Sequence, residues 1–421
     1  MSILKNTFSV LLFLVIIAIM EGAAHWSQLP GEVPVGEVLE KIANGETVDY
    51  NGVTITGDLD LREVSLPKDD YGRKIVTSKI CINDSAIDGE VNFANARFGK
   101  VIDLCNTSFQ GNTSFYGSQF ASKADLRGAR FLEDADFKMV DFRDWIDLSG
   151  AAFSKGACFN YSESEAYLDF SSVRFIGPAS FEGMAFDSFT DLTDARFEDN
   201  TSFFMAVFSQ ETRFDGAWFM GIANFNESRF KDYVYFTGTS FKGPVSLNKT
   251  KISNWMIDWS SIKDHLVYNE AAYQGLMQMF WVEGEFGAYD DCYYQYRWQR
   301  QLHEPMGIYK AMDLIAWASC GYGVKPLRPL GFGLTMIIFF GIIFWRLKLV
   351  WKLQSPNRPH EKSPISAFEE ALYFSLMMFL TRPPYGLHPA ERWRYLIIIE
   401  YISGWLTMAL FLVTLARLII R

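Results

Sequence analysis

The residues whose types and spacing could do chemistry stand toward the C-terminus of this 421-residue chain, where an arginine, carboxylates and paired prolines interrupt apolar stretches. Thr381, Arg382, Pro383, Pro384, Tyr385 and Gly386, with Leu387, His388 and Pro389 after them, form a turn-rich loop between two apolar stretches. Proline fixes φ near −65° and pushes the residue before it to an extended conformation, so Pro383 and Pro384 stiffen the loop. Arg382 sets a permanent cation within it. Glu400 is a carboxylate inside an apolar run, a costly placement that a partner or a watery cavity must offset. Glu369 and Glu370 add two acids shortly before the loop. Enzymatic chemistry is not expected. The five histidines (His25, His265, His303, His360, His388) have no metal-ligand spacing, and there is no nucleophile motif or phosphate-binding loop. No metal or cofactor is implied.

The elements that must position these residues are helical and apolar. Leu330 to Val350 is long enough to span a membrane, and its Arg346 and Lys348 can reach back to the interface. Tyr395 to Ile420 is a second span, interrupted by Glu400 and bounded by Arg417 and Arg421. Between them, Ser366 to Glu369 reads as a capping box opening the apolar stretch Ala371 to Leu380, which is too short to cross. A short helix followed by an irregular loop suggests a re-entrant hairpin. Such backbone is tolerated at membrane depth only where it lines an enclosed or watery cavity.

Ala371 to Ser375, Tyr385-Gly386, the run Arg394 to Glu400, Gly404 and Ala409-Leu410 together resemble the two-span pore module of the potassium-channel family. The resemblance covers Leu330 to Arg421. It implies a homotetramer around a pore for inorganic ions, a pore helix beginning near Glu369 and Glu370, and a filter in the loop that follows. It also implies an inner helix carrying Glu400, with Gly404 at its hinge. A close-packing glycine between two helices is the other reading of Gly404. The filter departs from the family, where backbone carbonyls of a Thr-Val-Gly-Tyr-Gly run replace the ion's hydration shell. Here Arg382, Pro383 and Pro384 precede Tyr385-Gly386, and one extra residue separates Phe374 from Gly386. Pro384 cannot take the conformations the family's glycine needs, which argues against potassium selectivity. Arg382 on a fourfold axis would oppose cations; alternatively it pairs with Glu369, Glu370 or Glu400. Glu400 either lines a vestibule or pairs with Arg392 or Arg394.

Ahead of this region runs an eleven-residue repeat, uninterrupted from Ile80 to Trp255. Its apolar marks fall at Phe109, Phe115, Phe120, Leu126, Phe131, Phe137, Phe142, Leu148 and Phe153, with spacings alternating six and five. Neither a helix nor a single strand has that period, whereas a solenoid of short faces and corners does. Four faces close a coil of two repeat units, and eight such coils at strand spacing give a rod on the order of 40 Å. A small residue two before the second mark is expected at a crowded corner, and Ala96, Ala129, Ala195, Ser118 and Ser240 are assigned to it. The pattern resembles the pentapeptide-repeat family in a Phe-rich variant, which implies a right-handed quadrilateral β-helix.

The fold class expected is therefore multi-domain. A signal peptide occupies 1–24, an N-terminal cap with irregular first coils 25–79, and the β-helix 80–259. A helical coupling segment follows at 260–329, then the two-span membrane domain at 330–421. The signal rests on Lys5, the apolar run Phe8 to Met20 and the small residues Gly22 to Ala24. Seven Asn-x-Ser/Thr sequons (Asn83, Asn106, Asn112, Asn160, Asn200, Asn226, Asn248) are compatible with export. Eight basic residues lie between Arg346 and Arg394, against five on the opposite flanks (Lys310, Lys325, Arg328, Arg417, Arg421). That bias puts the inter-span segment in the cytoplasm and the β-helix outside it, in a multi-pass cell-membrane protein.

In the coupling segment, Gly284 and Gly287 separate two helical runs, and a third helix is expected after Pro305, ending at Gly321 or Gly323. Its Tyr and Trp residues fit either a packed hairpin or a collar at the membrane interface. Cys320 to Val324 reads as a helix C-cap turn rather than a filter. Five scattered cysteines make no disulfide framework, though a Cys292–Cys320 bridge is open. A net charge of −10 argues against nucleic acid as a partner. Two functions follow: an ion channel whose exported β-helix binds a partner or ligand, or a non-conducting membrane-anchored scaffold.

Overall fold

The computed structural model describes residues 31–347, 350–352, 364–380, 387–389 and 394–419. The expected signal peptide lies outside the described residues. The chain divides into two compact units, Met1–Ala272 and Tyr273–Arg421.

The first unit is a β-solenoid of about ten turns. Two-residue strands pair in parallel with those one coil later, and the coil advances 22 residues, as in the series Ile102, Ala124, Ile146, Leu168 and Thr190. Each coil contributes four such strands, so four ladders run the length of the solenoid. The repeat's apolar marks point inward and stack. Phe109, Phe131, Phe153, Phe175, Phe197 and Phe219 form one column, with neighbouring rings 4.6 to 5.2 Å apart and nearly parallel. Phe115, Phe137, Phe159, Phe181, Phe203 and Phe225 form a second column. Contacts between columns are edge-to-face, as for Phe153 and Phe159 or Phe175 and Phe181. The aromatic quadrupole favours both arrangements over a face-to-face sandwich.

The corners carry a requirement that apolar periodicity does not reveal. One residue in every eleven from Asp84 to Lys249 has a positive φ, including Met139, Tyr161 and Met205 as well as glycines such as Gly128 and Gly150. Each is the third residue of a tight turn, as where the Ala129 N–H donates to the Leu126 carbonyl across Gly128 (3.1 Å). The small residue comes next and is buried at Ala96, Ala129, Ala195 and Ser118. At Ser240 the expectation is off by one: Thr239 takes the buried position, while Ser240 is only half-buried. Hydroxyls here bind the coil behind, Ser118 donating to the Phe93 carbonyl and Thr239 to that of Phe214, both at 2.7 Å.

Both ends of the stack are covered. Helix α1 (Val35–Asn44) buries Val38, Leu39 and Ile42 and stops at Gly45, whose φ of 70° forms the left-handed cap. At the other end the one-turn helix Trp259–Ile262 buries its first and last residues.

The second unit is helical. Helices α2 (Glu270–Val282), α3 (Phe286–His303) and α4 (Ile308–Cys320) precede three apolar helices, α5 (Leu327–Arg346), α6 (Pro364–Leu380) and α7 (Arg394–Ile419). Gly321 ends α4 in the left-handed region at φ 56°. Tyr273 packs on Tyr296, and Trp281 on Tyr289, so α3 folds back along α2. Cys292 and Cys320 are both free and buried, so the bridge the sequence left open is not formed. Burial pushes the Cys292 thiol well above its ordinary pKa. Helix α6 starts at Pro364, two residues ahead of Ser366, so Ser366 lies inside its first turn rather than ahead of it. Proline suits that first position, where its missing N–H is not needed.

Candidate functional site among the apolar helices

Two helices are long and apolar enough to cross a membrane, Leu327–Arg346 and Tyr395–Arg417. Helix α6 lies between them, and side-chain contacts fix how it runs. Along α5, Phe368 meets Trp345, Phe374 meets Phe344, the Ser375 hydroxyl donates to the Ile337 carbonyl, and Phe379 lies beside Gly333. Numbers rise on one helix as they fall on the other, so α5 and α6 are antiparallel. Along α7, Ser375 meets Glu400 and Phe379 meets Gly404. Here both numbers rise together, so α6 and α7 are parallel although consecutive in sequence. Helix α7 therefore begins at the end of the bundle where α6 begins. The last turn of α6 sits beside Gly404 and Thr407, the middle of α7.

A feature not foreseen in the sequence reinforces this arrangement. Leu387–Pro389, expected as loop, is a strand paired antiparallel with Val350–Lys352, which follows shortly after the end of α5. The end of α6 and the strand Leu387–Pro389 thus lie at different depths of the bundle. The filter-like residues Thr381, Arg382, Pro383, Pro384, Tyr385 and Gly386 join the two and lie outside the described residues.

Glycine makes the close approach possible. A Cβ at Gly404 would overlap the Phe379 carbonyl oxygen, and one at Gly341 would come within 3.0 Å of Leu372. At Gly333 it would meet the Phe379 ring at 3.2 Å. Small residues at such interfaces let helix backbones approach where lipid supplies no hydrophobic driving force. The residues buried between the helices are Phe340 and Phe344 of α5, Ala371, Phe374 and Met378 of α6, and Ile397 of α7.

Glu400 sits in the middle of this packing, fully buried. Its Oε1 is hydrogen-bonded to Ser375, itself fully buried, and its Oε2 has no partner among the described residues. Ser375 has one hydroxyl hydrogen and two acceptor neighbours, the Ile337 carbonyl (2.8 Å) and the carboxyl. When that hydrogen goes to Ile337, the second contact is completed only by a proton on the carboxyl. The trio links all three helices through one hydroxyl. Glu369 is exposed near the start of α6 and Glu370 is half-buried beside it. Arg382 and Arg392, offered by the sequence as ion-pair partners, lie outside the described residues. Ser375 and the Ile337 carbonyl were not singled out in the sequence. The pair Ala371 and Ser375, four apart and both fully buried, was the signal to follow.

The far ends of the spans meet α3 and α4. Arg417 near the end of α7 pairs with Asp290 at 3.1 Å and faces the rings of Tyr289 and Tyr293. Lys325 pairs with Asp291 at 2.7 Å. Arg328, in the first turn of α5, donates to the Trp317 carbonyl and the Tyr294 hydroxyl, both at 2.8 Å. Tyr322 donates to Gln301, and burial, with Asp313 nearby, pushes its hydroxyl up to about 12. This gathering of Tyr, Trp and Arg at the ends of apolar helices is the composition of a membrane–water boundary.

A family model described as pentapeptide repeats, in nine copies, matches residues 115–163 and 192–240. Both segments lie within the solenoid, which is therefore built of pentapeptide repeats. No curated protein and no solved structure matches the chain.

Proposed function

We propose that this protein is an oligomeric, pore-forming membrane protein of the two-span, potassium-channel-like class. Its pentapeptide-repeat solenoid, wound right-handed with four faces, would stand outside the cytoplasm as a sensor or scaffold. The observation that carries the reading is the parallel run of α6 and α7. Two consecutive parallel helices oblige the chain to turn back along the bundle between them, and α6 stops beside the middle of α7. A plain anchor needs only two antiparallel spans. A helix that enters halfway and returns suits a chain that lines an enclosed path. The C-terminal end of α6 also brings the negative pole of its dipole to mid-depth, which favours cations there. Arg382, two residues beyond α6 in sequence, would work against them if it faced the axis. Potassium selectivity is not part of the proposal, because Pro383 and Pro384 replace the backbone that such a filter requires.

Flux through the purified protein in liposomes, under separate K⁺, Na⁺ and Cl⁻ gradients, tests this, with Arg382→Ala measured alongside. Flux whose ion preference changes in the variant is expected. Folded, oligomeric protein that passes none of the three ions would overturn the channel and leave the second reading. That reading is a non-conducting scaffold presenting the solenoid from a membrane anchor, which the two prolines favour.

A further inference from the structure

We infer that the apolar helices hold a binding site for a phospholipid acyl chain, in a cavity of about 210 Å³ between α5, α6 and α7. The inference rests on the membrane placement proposed above. Gly333, Ile337, Phe379 and Thr407 form the inner wall. Gly333 presents no side chain, and the space a Cβ would occupy ends against the Phe379 ring. Thr407 is the only wall residue here with a polar side-chain atom, and its hydroxyl is turned away, donating to the Ser403 carbonyl of its own helix at 2.7 Å. Its methyl faces the cavity beside Gly333. The side chains of this wall offer an occupant no free donor. Water has few partners there, and predominantly apolar cavities stay dry or take hydrocarbon.

The rim identifies the source of that hydrocarbon. Leu330, Leu334, Leu380 and Met408 edge the opening, each between two-fifths and two-thirds exposed. They continue into the exposed rows Ile338 and Ile342 of α5 and Leu412 of α7. The mouth therefore opens on the surface these helices would present to lipid. It also lies within the first three turns of α5, just inward of Arg328, Trp317 and Tyr294. Acyl chains begin immediately below such a belt of aromatic and basic residues. A chain entering sideways from that leaflet would complete the packing around the last turn of α6.

The test uses full-length protein in phosphatidylcholine liposomes carrying a photoactivatable diazirine in one acyl chain. After irradiation, adducts are mapped by mass spectrometry. Two sets of residues are compared: the cavity residues 330–337 and 379–380, and the exposed outer face of α5 further along, at Phe339 and Ile342. Labelling of both is expected. Leu334→Trp at the mouth should lower the cavity adducts severalfold while leaving the outer face unchanged, and Leu330→Trp should do the same. Outer-face labelling without cavity labelling would overturn the acyl-chain site and leave the membrane placement standing, with another copy of the chain as the alternative occupant. Cavity labelling that neither substitution reduces would also overturn it. No labelling on either set would overturn the membrane placement and the site with it.

Discussion

Phe181 in the solenoid and Gly404 in the apolar bundle are both decisive packing positions, yet they are fixed in different ways. Phe181 stacks between Phe159 and Phe203, at 5.1 and 4.8 Å, and each neighbour repeats the same contact one coil further on. Gly404 meets the Phe379 carbonyl at one point, and no other glycine among the described residues of the bundle comes so close to a neighbouring helix's backbone. A repeat protein's stability is close to a sum of local coil and interface terms, so damage stays near its origin. A three-helix bundle assembled by single-use contacts has no such redundancy, and one contact decides whether α6 can dock.

The largest effect expected from this contrast is that of Gly404→Val. The added side chain meets backbone of α6, which cannot retreat while Gly333 and Gly341 hold it against α5. Overpacking that a core can relieve costs about 1–3 kcal/mol, and this overlap should exceed it because no flexible side chain can yield. Limited proteolysis in detergent should show α6 unprotected, while the β signal in far-ultraviolet circular dichroism persists. Protection equal to wild type would mean that α7 slides past α6, and that this contact does not decide the docking.

Phe181→Ala comes next. Removing a fully buried phenylalanine should cost about 3–5 kcal/mol. The damage should nevertheless be confined, with hydrogen exchange rising in the coils around Phe159, Phe181 and Phe203 and remaining low near Ile80 and Phe236. Exchange rising throughout the solenoid would show a single cooperative block and remove the distinction between the two units.

These two positions also mark how far the sequence could be read. The solenoid was legible in the placement of its core because one physical demand, an inward apolar residue every five or six positions, is imposed again at each turn. Its left-handed corner was not legible. The position tolerates Met139, Tyr161 and Met205 alongside Gly128 and Gly150, so no single residue type announces it. In the helical unit the elements were legible from apolar runs and from Pro and Gly punctuation, and Glu400 was conspicuous as a carboxylate among them. Its partner was not, because Ser375 lies on another helix whose register is set by packing at Gly333, Gly341 and Gly404. The three-residue strands Val350–Lys352 and Leu387–Pro389 are too short to carry a period.

Glu400 sharpens the comparison at a smaller scale. Glu400→Ala removes the partner of a buried hydroxyl and should cost about 1–3 kcal/mol of bundle stability. Glu400→Gln keeps the shape and supplies an N–H where the accounting around Ser375 calls for a donor, so it should stay near wild type. Thermal denaturation of the detergent-solubilised protein separates the two. If Gln is as damaging as Ala, the bundle needs the carboxylate's charge, and a bound cation becomes the better account of its unpartnered oxygen.

The smallest effect belongs to the solenoid and runs in the opposite direction. Met205 holds φ at 58° and is half exposed, so its side chain gains little from burial to offset a left-handed backbone. That conformation costs an L-residue about 1–2 kcal/mol, while glycine gives back roughly 0.5–1 kcal/mol through the entropy of the unfolded chain. Met205→Gly should therefore stabilise the solenoid by up to about 1 kcal/mol, a rise of roughly 2–4 °C in its unfolding midpoint. The reciprocal change, Gly128→Ala, should lower the midpoint, since its Cβ would also collide with the Asn106 side chain. A midpoint that falls for Met205→Gly would mean that the side chain is held by contacts worth more than the strain. The exposed residues at these corners would then be part of a surface the solenoid maintains rather than a tolerance of its turns.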